Sequence, residues 1–157
     1  MRIGIGYDIH PLEAGRPLVL GGVRISHESG LAGHSDADVL THAIIDALLG
    51  AAALGDIGQH FPADDPLYRD VKSIELLRQA VSLVVAAGYR AVNVDATVIA
   101  EAPRLAPHVT AMRVSLSEAL GIEADAVSVK ATTADGRGAI GRGEGIAALA
   151  VALLDST

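Results

Sequence analysis

The sequence predicts a single domain of mixed α and β structure that covers residues 1–157. A chain of 157 residues is long enough to bury a core within one domain. Apolar residues that alternate with polar or small ones predict strands, most clearly at residues 1–10 and 91–100. Apolar residues that recur every three or four positions predict helices, for example at residues 40–48. No internal repeat, low-complexity tract or linker indicates a second domain.

The composition indicates which residues build the core and argues against two classes of binding partner. Half of the residues are hydrophobic but only 3% are aromatic, so Ala, Val, Leu and Ile must form the core. The net charge of -7 argues against a general nucleic-acid surface or an anionic-membrane surface. An acidic chain that binds phosphates needs local positive charge from a metal ion, a few Arg or Lys side chains, or helix N-termini.

The lack of cysteine excludes disulfides, thiol catalysis and cysteine-ligated zinc sites. No apolar run reaches membrane-spanning length, and the first residues predict a strand rather than a signal or transit peptide. We therefore expect a cytoplasmic enzyme or binding protein, and the lack of a transit peptide favours a bacterial cytoplasm over a plastid.

The first ten residues alternate as a strand does. One side of this strand carries Ile3, Ile5, Tyr7 and Ile9, and the other carries Gly4, Gly6, Asp8 and His10. Asp8 and His10 are therefore predicted to be neighbours on one face, where an oxygen and a nitrogen donor can bind a single ion. An edge strand whose polar face meets water is the alternative interpretation.

Residues 11–25 predict a turn and then a hairpin. Pro11 to Pro17 indicates the turn. The segments Leu18–Leu20 and Val23–Ile25 predict two short strands that pair around Gly21-Gly22.

The stretch from Gly33 to Asp46 leads into a helix with an apolar and a polar face. The apolar face is formed by Leu40, Ile44, Ala47 and Leu48. Asp38, His42 and Asp46 are each four residues apart, so they are predicted to lie along the opposite face. Ser35 with Asp38 fits a capping box, which would leave backbone N–H groups at the helix start free to bind phosphate.

This arrangement suits a metal ion held above a phosphorylated substrate. The histidine lies between two carboxylates, one turn beyond the predicted phosphate site. The alternative is a solvated polar face with an ordinary histidine on it, and the stretch alone does not decide between the two.

Loops, helices and strands follow one another in the rest of the chain. Residues 55–66 predict a loop that is either a mobile lid or an irregular surface connection. The predicted elements are a helix at Ser73–Ala87 ended by Gly88, a strand at Ala91–Ala100, a helix at about His108–Leu120 ended by Gly121, and a strand at Val127–Ala131. Residues 146–154 are apolar on all sides, so periodicity does not separate helix from strand, and propensity weakly favours a helix.

The stretch from Lys130 to Gly145 has the most unusual composition in the chain. Its sixteen positions hold five glycines, three basic residues, two threonines and two acidic residues. Glycines let backbone N–H groups approach an anion, and threonines donate hydrogen bonds without adding charge. The Walker spacing is absent, so this is not a P-loop. A tight turn between buried elements, with an internal Arg142–Glu144 ion pair, is the alternative interpretation.

Taken together, these motifs resemble the 2-C-methyl-D-erythritol 2,4-cyclodiphosphate synthase family of the non-mevalonate route to isoprenoids. The resemblance covers almost the whole chain. The matching runs are 1–4, 8–10, 34–38 with His42, 46–50, 55–58, Phe61-Pro62, 93–95, Ala102-Pro103, 129–133 and 141–145. The combination of these motifs is specific, whereas each motif alone is not.

The resemblance implies an α+β subunit in which helices cover one face of a mixed β-sheet. It implies a homotrimer in which the sheets pack around a threefold axis and the active sites lie between neighbouring subunits. The segment from Arg142 to Leu154 would then be a long strand near this axis, in place of the weakly favoured helix. Burial between sheets would explain why this strand is apolar on both faces.

The resemblance also implies two metal ions. Asp8, His10 and His42 would bind one Zn²⁺ per active site, which leaves a fourth tetrahedral position for a phosphate oxygen. A Mg²⁺ or Mn²⁺ ion that bridges the diphosphate would be held at the place of Asp135. From its spacing we expect Asp46 to accept the other imidazole N–H of His42 and so determine its tautomer.

The implied reaction is intramolecular. The 2-phosphate of 4-diphosphocytidyl-2-C-methyl-D-erythritol 2-phosphate attacks the β-phosphate, CMP leaves, and 2-C-methyl-D-erythritol 2,4-cyclodiphosphate forms. The implied catalytic residues, which contact phosphates of the substrate, are His34 and Thr133. The implied substrate-binding residues also include Asp8, His10, Ser35, Asp56, Ile57, Gly58, Phe61, Thr132 and Arg142, and the cytidine pocket of the neighbouring subunit would be formed by Ala100, Arg104, Leu105 and Ala131.

Three positions depart from the family's pattern. Asp135 stands where the family usually has glutamate, so the second ion would be held by a shorter side chain. Arg104 replaces a frequent lysine and keeps the charge. Ala139 replaces a common phenylalanine beside an axial cavity, which argues against isoprenoid-phosphate binding there.

Two other functions are compatible with parts of this pattern. A zinc-dependent phosphohydrolase would use water as its nucleophile, but no additional general base accompanies the predicted metal ligands. A trimeric nucleotide-binding regulatory module without turnover would not need those ligands at all.

Overall fold

A five-stranded mixed sheet forms the centre of the fold in a computed structural model that describes residues 1–157. The strands are β1 (Arg2–Ala14), β2 (Leu18–Leu20), β3 (Val23–Ile25), β4 (Ser29–Leu31), β5 (Tyr89–Ile99), β6 (Val127–Thr132) and β7 (Gly145–Ser156). The helices are α1 (Val39–Ala51), α2 (Ile57–His60), α3 (Ser73–Ala86), α4 (Val109–Leu120) and α5 (Gly138–Gly141). The predicted mixture of helices and strands is confirmed.

The order of strands in the sheet is β4-β1-β7-β5-β6. β7 pairs antiparallel with β1 on one side and with β5 on the other, and β5 pairs parallel with β6. The predicted hairpin around Gly21-Gly22 is present as the antiparallel pair β2–β3. The C-terminal strand β7 is therefore the middle strand of the sheet, and the N-terminal strand β1 is its neighbour.

The glycine side of β1 packs directly against α1. A Cβ atom on Gly4 would lie 2.0 Å from the carbonyl oxygen of Ala47, and one on Gly6 would lie 1.9 Å from that of Ala43. Only glycine permits this approach of strand backbone to helix backbone. The helices consequently cover this face of the sheet, and the core lies between the two layers.

The opposite face of β1 and β7 is apolar and uncovered within one chain. Its members include Ile3, Ile5, Tyr7, Ile9, Leu149 and Val151, all of which are exposed. The predicted division of β1 into two faces is therefore confirmed, and the side chains on the larger-residue face point away from the core.

The predicted start of α1 is wrong. The helix begins at Val39 and Asp38 is its N-cap, whose side chain accepts a hydrogen bond from the Thr41 N–H. The same carboxyl accepts hydrogen bonds from the backbone N–H groups of Gly21 and Gly22. Asp38 is fully buried, so it does not lie on a solvated polar face. Burial and the charge of Asp36 raise its pKa. The helix start is therefore capped by an acidic side chain instead of being open to phosphate.

The middle and end of the chain match most of the predicted elements. α3, β5, α4 and β6 lie within one to two residues of their predicted bounds, and α4 ends at Gly121 with a left-handed φ of 69°. The weak preference for a helix at residues 146–154 is wrong. This segment is the strand β7, because it pairs along its length with both β1 and β5.

Three segments differ from the predictions made on loops. The chain does not turn at Pro11, because β1 continues to Ala14 and pairs with β4, which the sequence did not predict. The predicted loop at residues 55–66 contains the short helix α2. The strand predicted to start at Arg142 begins three residues later, at Gly145, because α5 precedes it. None of the helices is both long and apolar enough to cross a membrane.

Candidate active site

Three side chains that can bind a metal ion meet at the junction of β1 and α1. Asp8 Oδ2 lies 2.9 Å from His10 Nε2 and 3.0 Å from His42 Nδ1. The two histidine nitrogens are 3.2 Å apart, and no other residue belongs to this cluster. The structure therefore brings together three of the four predicted metal ligands.

Local structure explains how these side chains meet. Asp8 and His10 follow Gly4 and Gly6 on the same face of β1, so they continue the side of the strand that packs on α1. His42 lies one turn after the N-cap of α1, at the end of the helix that is close to them. The close strand–helix approach thus places donors from two distant segments around one point.

The charges of the cluster favour an ionised aspartate. Burial alone would raise the pKa of Asp8, but the hydrogen bonds and charges of His10 and His42 outweigh it and lower that pKa to about 2. Burial lowers the pKa of His10, but the hydrogen bond and charge of Asp8 outweigh this effect and raise it. The carboxylate is therefore available as a ligand at neutral pH.

Each imidazole has a second partner on its other nitrogen. His10 Nδ1 donates a hydrogen bond to the carbonyl oxygen of Ala32 at 2.9 Å. His42 Nε2 lies 2.8 Å from Ser73 Oγ and 3.2 Å from Ser35 Oγ. The prediction that Asp46 fills this role is wrong, because its carboxylate accepts a hydrogen bond from the backbone N–H of Ile57 at 2.7 Å. Burial and the charge of Asp56 raise the pKa of this carboxyl despite that bond.

A cavity of about 210 Å³ opens above the cluster. Predicted site residues that line it are Asp8, His10, His34, Ser35, His42, Ile57, Gly58 and Phe61. Ala63, Tyr68 and Leu76 line the same cavity and were not predicted as site residues. Asp56 lies beside it as the N-cap of α2.

The segment from Phe61 to Asp70 folds against one wall of the cavity. His34 Nε2 donates a hydrogen bond to the carbonyl oxygen of Asp65 at 2.9 Å. The backbone N–H of Asp70 donates to the carbonyl oxygen of His34, also at 2.9 Å. Asp65 belongs to the predicted lid at residues 55–66, so the lid contacts a predicted catalytic residue, while its motion stays a prediction.

A second cavity, of about 310 Å³, lies between the start of the loop after β5 and the end of β6. Predicted residues that line it are Ala100, Arg104, Leu105, Ala131, Thr132 and Thr133, and it is completed by Glu101, Pro103 and Ala106. No residue lines both cavities. Within one chain, the predicted cytidine pocket is therefore separate from the metal cluster.

Asp135 lies next to the second cavity rather than in the metal cluster. It has a left-handed φ of 50°, and its carboxylate accepts a hydrogen bond from Thr133 Oγ1 at 3.1 Å. Arg142 lines neither cavity and forms an exposed ion pair with Glu144, with 2.6 Å between Nε and Oε1. The predicted Arg142–Glu144 pair is therefore present, but it is exposed rather than internal, and within one chain Arg142 is not brought to either cavity.

Two residues that support the cluster were not identified from the sequence. The sequence predicts Ser73 only as the first residue of a helix, and Asp36 only as part of a family motif. Ser73 Oγ donates a hydrogen bond to Asp36 Oδ1 at 2.5 Å. The local signal that could have indicated them is weak, because their partners lie more than thirty positions away in the chain.

Comparisons with known proteins agree on one family. The YgbB family model matches residues 1–155. The 2-C-methyl-D-erythritol 2,4-cyclodiphosphate synthase of Syntrophomonas wolfei is 59% identical over 155 residues, which cover 99% of both chains. The enzyme of the same name from Moorella thermoacetica is 61% identical and covers 98% of this chain and 94% of its own.

Solved structures show the same fold. A 2C-methyl-D-erythritol-2,4-cyclodiphosphate synthase in a form bound to CDP superimposes with a TM-score of 0.90 at 40% identity, covering 98% of this chain and 100% of that one. The bifunctional IspDF of Campylobacter jejuni gives a TM-score of 0.96 at 41% identity. The match covers 99% of this chain and 42% of that longer protein.

Proposed function

The chain belongs to the YgbB family, and we propose which of its residues carry out the reaction for which its relatives are named. It is an enzyme of the non-mevalonate route to isoprenoids that converts 4-diphosphocytidyl-2-C-methyl-D-erythritol 2-phosphate to 2-C-methyl-D-erythritol 2,4-cyclodiphosphate and CMP. One observation carries the assignment of the site: three convergent metal-ligating side chains line a cavity in a chain that is 59% identical to such an enzyme over its whole length.

The reaction sets two requirements for the site. The attacking 2-phosphate and the β-phosphate belong to one molecule, so the protein supplies orientation rather than a nucleophile of its own. Both groups are anionic, so the site must also neutralise charge as they approach. Residues that position phosphates and ligands that hold cations meet these requirements.

The donor set of the first cavity fits zinc. One carboxylate and two imidazoles are ligands that Zn²⁺ prefers, and three protein ligands are typical of a catalytic site with one open position. Zinc–ligand bonds of about 2.0 Å at tetrahedral angles place ligand atoms about 3.3 Å apart, close to the separations of 2.9 to 3.2 Å observed here. Bound zinc would act as a Lewis acid toward a phosphate oxygen.

The residues around the cluster are assigned to the erythritol end of the substrate. His34 and Ser35 lie beside the cluster on the cavity wall, so they bind and orient phosphate on that side. Gly58 lines the same cavity, and Asp56 caps the short helix that carries it, so both are assigned to the erythritol hydroxyl groups. Ile57 and Phe61 enclose this end and limit access of water.

The second cavity is assigned to the nucleotide end. Ala100, Leu105 and Ala131 offer apolar surface to the cytosine ring, and Arg104 offers positive charge beside them. The Thr133 hydroxyl donates to Asp135 in this structure and would donate to phosphate once Asp135 binds a cation. Asp135 would hold Mg²⁺ or Mn²⁺, which would neutralise charge on the diphosphate. A relative solved with CDP supports a nucleotide pocket in this fold.

A homotrimer joins the two half-sites in this proposal. Ile3, Ile5 and Tyr7 leave a broad apolar strip on the sheet face that the helices do not cover, and such strips mark subunit interfaces. Packing three such sheets around a threefold axis would bury the strip. The cytidine cavity of one subunit would then face the metal cavity of its neighbour. We also propose a cytoplasmic location, since the substrate is a highly charged nucleotide derivative.

Phosphorus NMR tests the assignment of the metal ligands. Purified protein with the diphosphocytidyl substrate, Zn²⁺ and Mg²⁺ is expected to give two coupled cyclic-diphosphate resonances and one CMP per turnover. His42→Ala removes one of three ligands and is expected to lower the rate by at least about 100-fold, on the scale of electrostatic catalysis. His108→Ala is the matched control, because His108 lines neither cavity.

Other outcomes would contradict the assignment. Release of inorganic phosphate would favour the phosphohydrolase. Undiminished activity of the His42→Ala variant would show that the cluster is not the catalytic metal site. Substrate binding without turnover, unchanged in that variant, would favour the regulatory module.

A further inference from the structure

We propose that Ser73 is a positioning residue of the metal centre. Its hydroxyl, oriented by Asp36, selects the tautomer of His42 in which Nδ1 faces the metal and Nε2 carries the proton. The inference rests on the proposed metal-binding role of Asp8, His10 and His42. It concerns a residue that touches neither the metal nor the substrate.

The two nitrogens of the His42 ring have different surroundings. Nδ1 points to the cluster, where it lies 3.0 Å from Asp8 Oδ2 and 3.2 Å from His10 Nε2. Nε2 points away from the cluster and lies 2.8 Å from Ser73 Oγ. A neutral imidazole carries its single proton on one nitrogen only. Metal binding through Nδ1 therefore requires the proton to be on Nε2.

Asp36 determines the direction of the hydrogen bonds. Its carboxylate only accepts hydrogen bonds, so the hydroxyl proton of Ser73 points to Asp36 Oδ1, with 2.5 Å between the oxygens. The backbone N–H of Ser73 donates to Asp36 Oδ2 at 3.1 Å, which holds the carboxylate in place. The lone pairs of the Ser73 oxygen are then left to accept the Nε2 proton of His42.

Burial and hydrogen bonds between segments fix the position of Ser73. It is the first residue of α3, is 0% exposed, and joins this helix to α1 and to the loop before it. The backbone N–H of Asp36 also donates to the carbonyl oxygen of Val71 at 3.1 Å, so the segments are tied at two points. Such packing fixes the hydroxyl position and, through it, the plane of the imidazole.

Ser35 is a weaker candidate for this role. Its oxygen lies 3.2 Å from His42 Nε2, and it already accepts a hydrogen bond from the Ala37 N–H. It also lines the substrate cavity, which Ser73 does not. The ligand His10 has an equivalent outer partner, because its Nδ1 donates to the carbonyl oxygen of Ala32. Ser73 therefore accepts the outer N–H of His42, just as the backbone carbonyl of Ala32 accepts the outer N–H of His10.

Zinc affinity is the first measurement. Competition with a chromophoric chelator is expected to show about 10- to 100-fold weaker Zn²⁺ binding by Ser73→Ala than by the unchanged protein. Asp36→Asn keeps the shape but loses the charge, so we expect a smaller loss in the same direction. Ser82→Ala, at an exposed position of the same helix whose hydroxyl bonds only to a backbone carbonyl, is the matched control and should leave the affinity unchanged.

Nitrogen-15 NMR of histidine side chains is the second measurement, and it needs no variant. In the protein loaded with Zn²⁺, His42 is expected to show a metal-bound Nδ1 and a protonated Nε2. An Nε2 that carries no proton, or zinc bound through Nε2, would overturn the proposal, even if Ser73→Ala failed to fold.

Failure of this inference is distinguishable from failure of the metal assignment. If His42→Ala binds Zn²⁺ as tightly as the unchanged protein, the metal assignment is wrong. If His42→Ala loses Zn²⁺ but Ser73→Ala binds it with unchanged affinity, the metal assignment stands and the role of Ser73 is overturned.

Discussion

At the scale of single residues, the candidate site depends on Asp8 and the two imidazoles that flank it. One carboxylate oxygen lies within 3.0 Å of a nitrogen on each histidine. Two donors converging on one acceptor favour its charged form more strongly than burial disfavours it. The same convergence that a metal ion requires therefore also keeps the aspartate ionised when no metal is bound.

We expect Asp8 to remain ionised in acid in the metal-free protein. With its pKa lowered to about 2, Asp8 stays about 90% ionised at pH 3, where an unperturbed aspartate is mostly protonated. Because the hydrogen bond and charge of His10 help to lower this pKa, His10→Phe should raise it. Carbon-13 NMR of the carboxyl group follows the titration. His108→Phe should leave it unchanged, and an equal pKa in the His10→Phe variant would contradict the explanation.

At the scale of elements, the contact between β1 and α1 sets the geometry of the site. Gly4 and Gly6 bring the strand backbone against carbonyl oxygens of the helix. Asp8 and His10 continue the same strand face, and His42 lies near the start of the helix. A change in the distance between the two elements would therefore move ligands apart as well as weaken packing.

Gly6→Ala is expected to destabilise the fold. Its new Cβ would lie 1.9 Å from a backbone oxygen of α1, so strand and helix must separate. Overpacking against rigid backbone costs about 3 kcal/mol or more of unfolding free energy, and we expect zinc affinity to fall with it. Urea unfolding and chelator competition measure the two effects.

Gly50→Ala is the matched control for this change. A Cβ at Gly50 meets nothing within 4 Å, and the residue lies inside α1. This substitution is expected to raise the unfolding free energy by up to about 1 kcal/mol, because alanine favours a helix over glycine. Equal stability of the two alanine variants would contradict the role of the close contact.

At the scale of the whole molecule, the apolar strip and the two separate cavities have one common explanation. The strip lies on β1 and β7, at the centre of the sheet. The proposed nucleotide cavity shares no lining residue with the metal cavity. Association through the strip would shield the apolar side chains and would complete each active site with residues of a neighbour.

Ile5→Asp is expected to prevent this association. Ile5 is 71% exposed in one chain, and a charge there would be buried at the proposed threefold interface. Mass photometry or light scattering should change from about three times the chain mass of 16.0 kDa to a single chain. Cyclising activity should be lost with it, because each site of the proposed trimer contains residues of two subunits.

Val85→Asp is the control for a charge at an exposed apolar position. Val85 is 51% exposed but lies on α3, in the helical layer away from the strip. This variant should keep both the assembly and the activity. A single chain for the unchanged protein, or full activity of dissociated Ile5→Asp, would contradict the shared active site.

The sequence by itself determined the elements whose side-chain faces follow a local period. Alternation in residues 1–10 predicted both the glycine face and the pairing of Asp8 with His10, and the match to family motifs added His42. The periodic features depend on neighbours two to four positions away, so they can be predicted from the sequence without a structure.

Only the tertiary structure decided the partners of those residues. It gave His42 the hydroxyl of Ser73 instead of the carboxylate of Asp46, and it made Asp38 a buried cap instead of part of a polar face. It also made residues 146–154 a strand, because two distant strands pair with them. The physical reason is that hydrogen bonds between different segments depend on how the whole chain packs, and such packing produces no regular spacing in the local sequence.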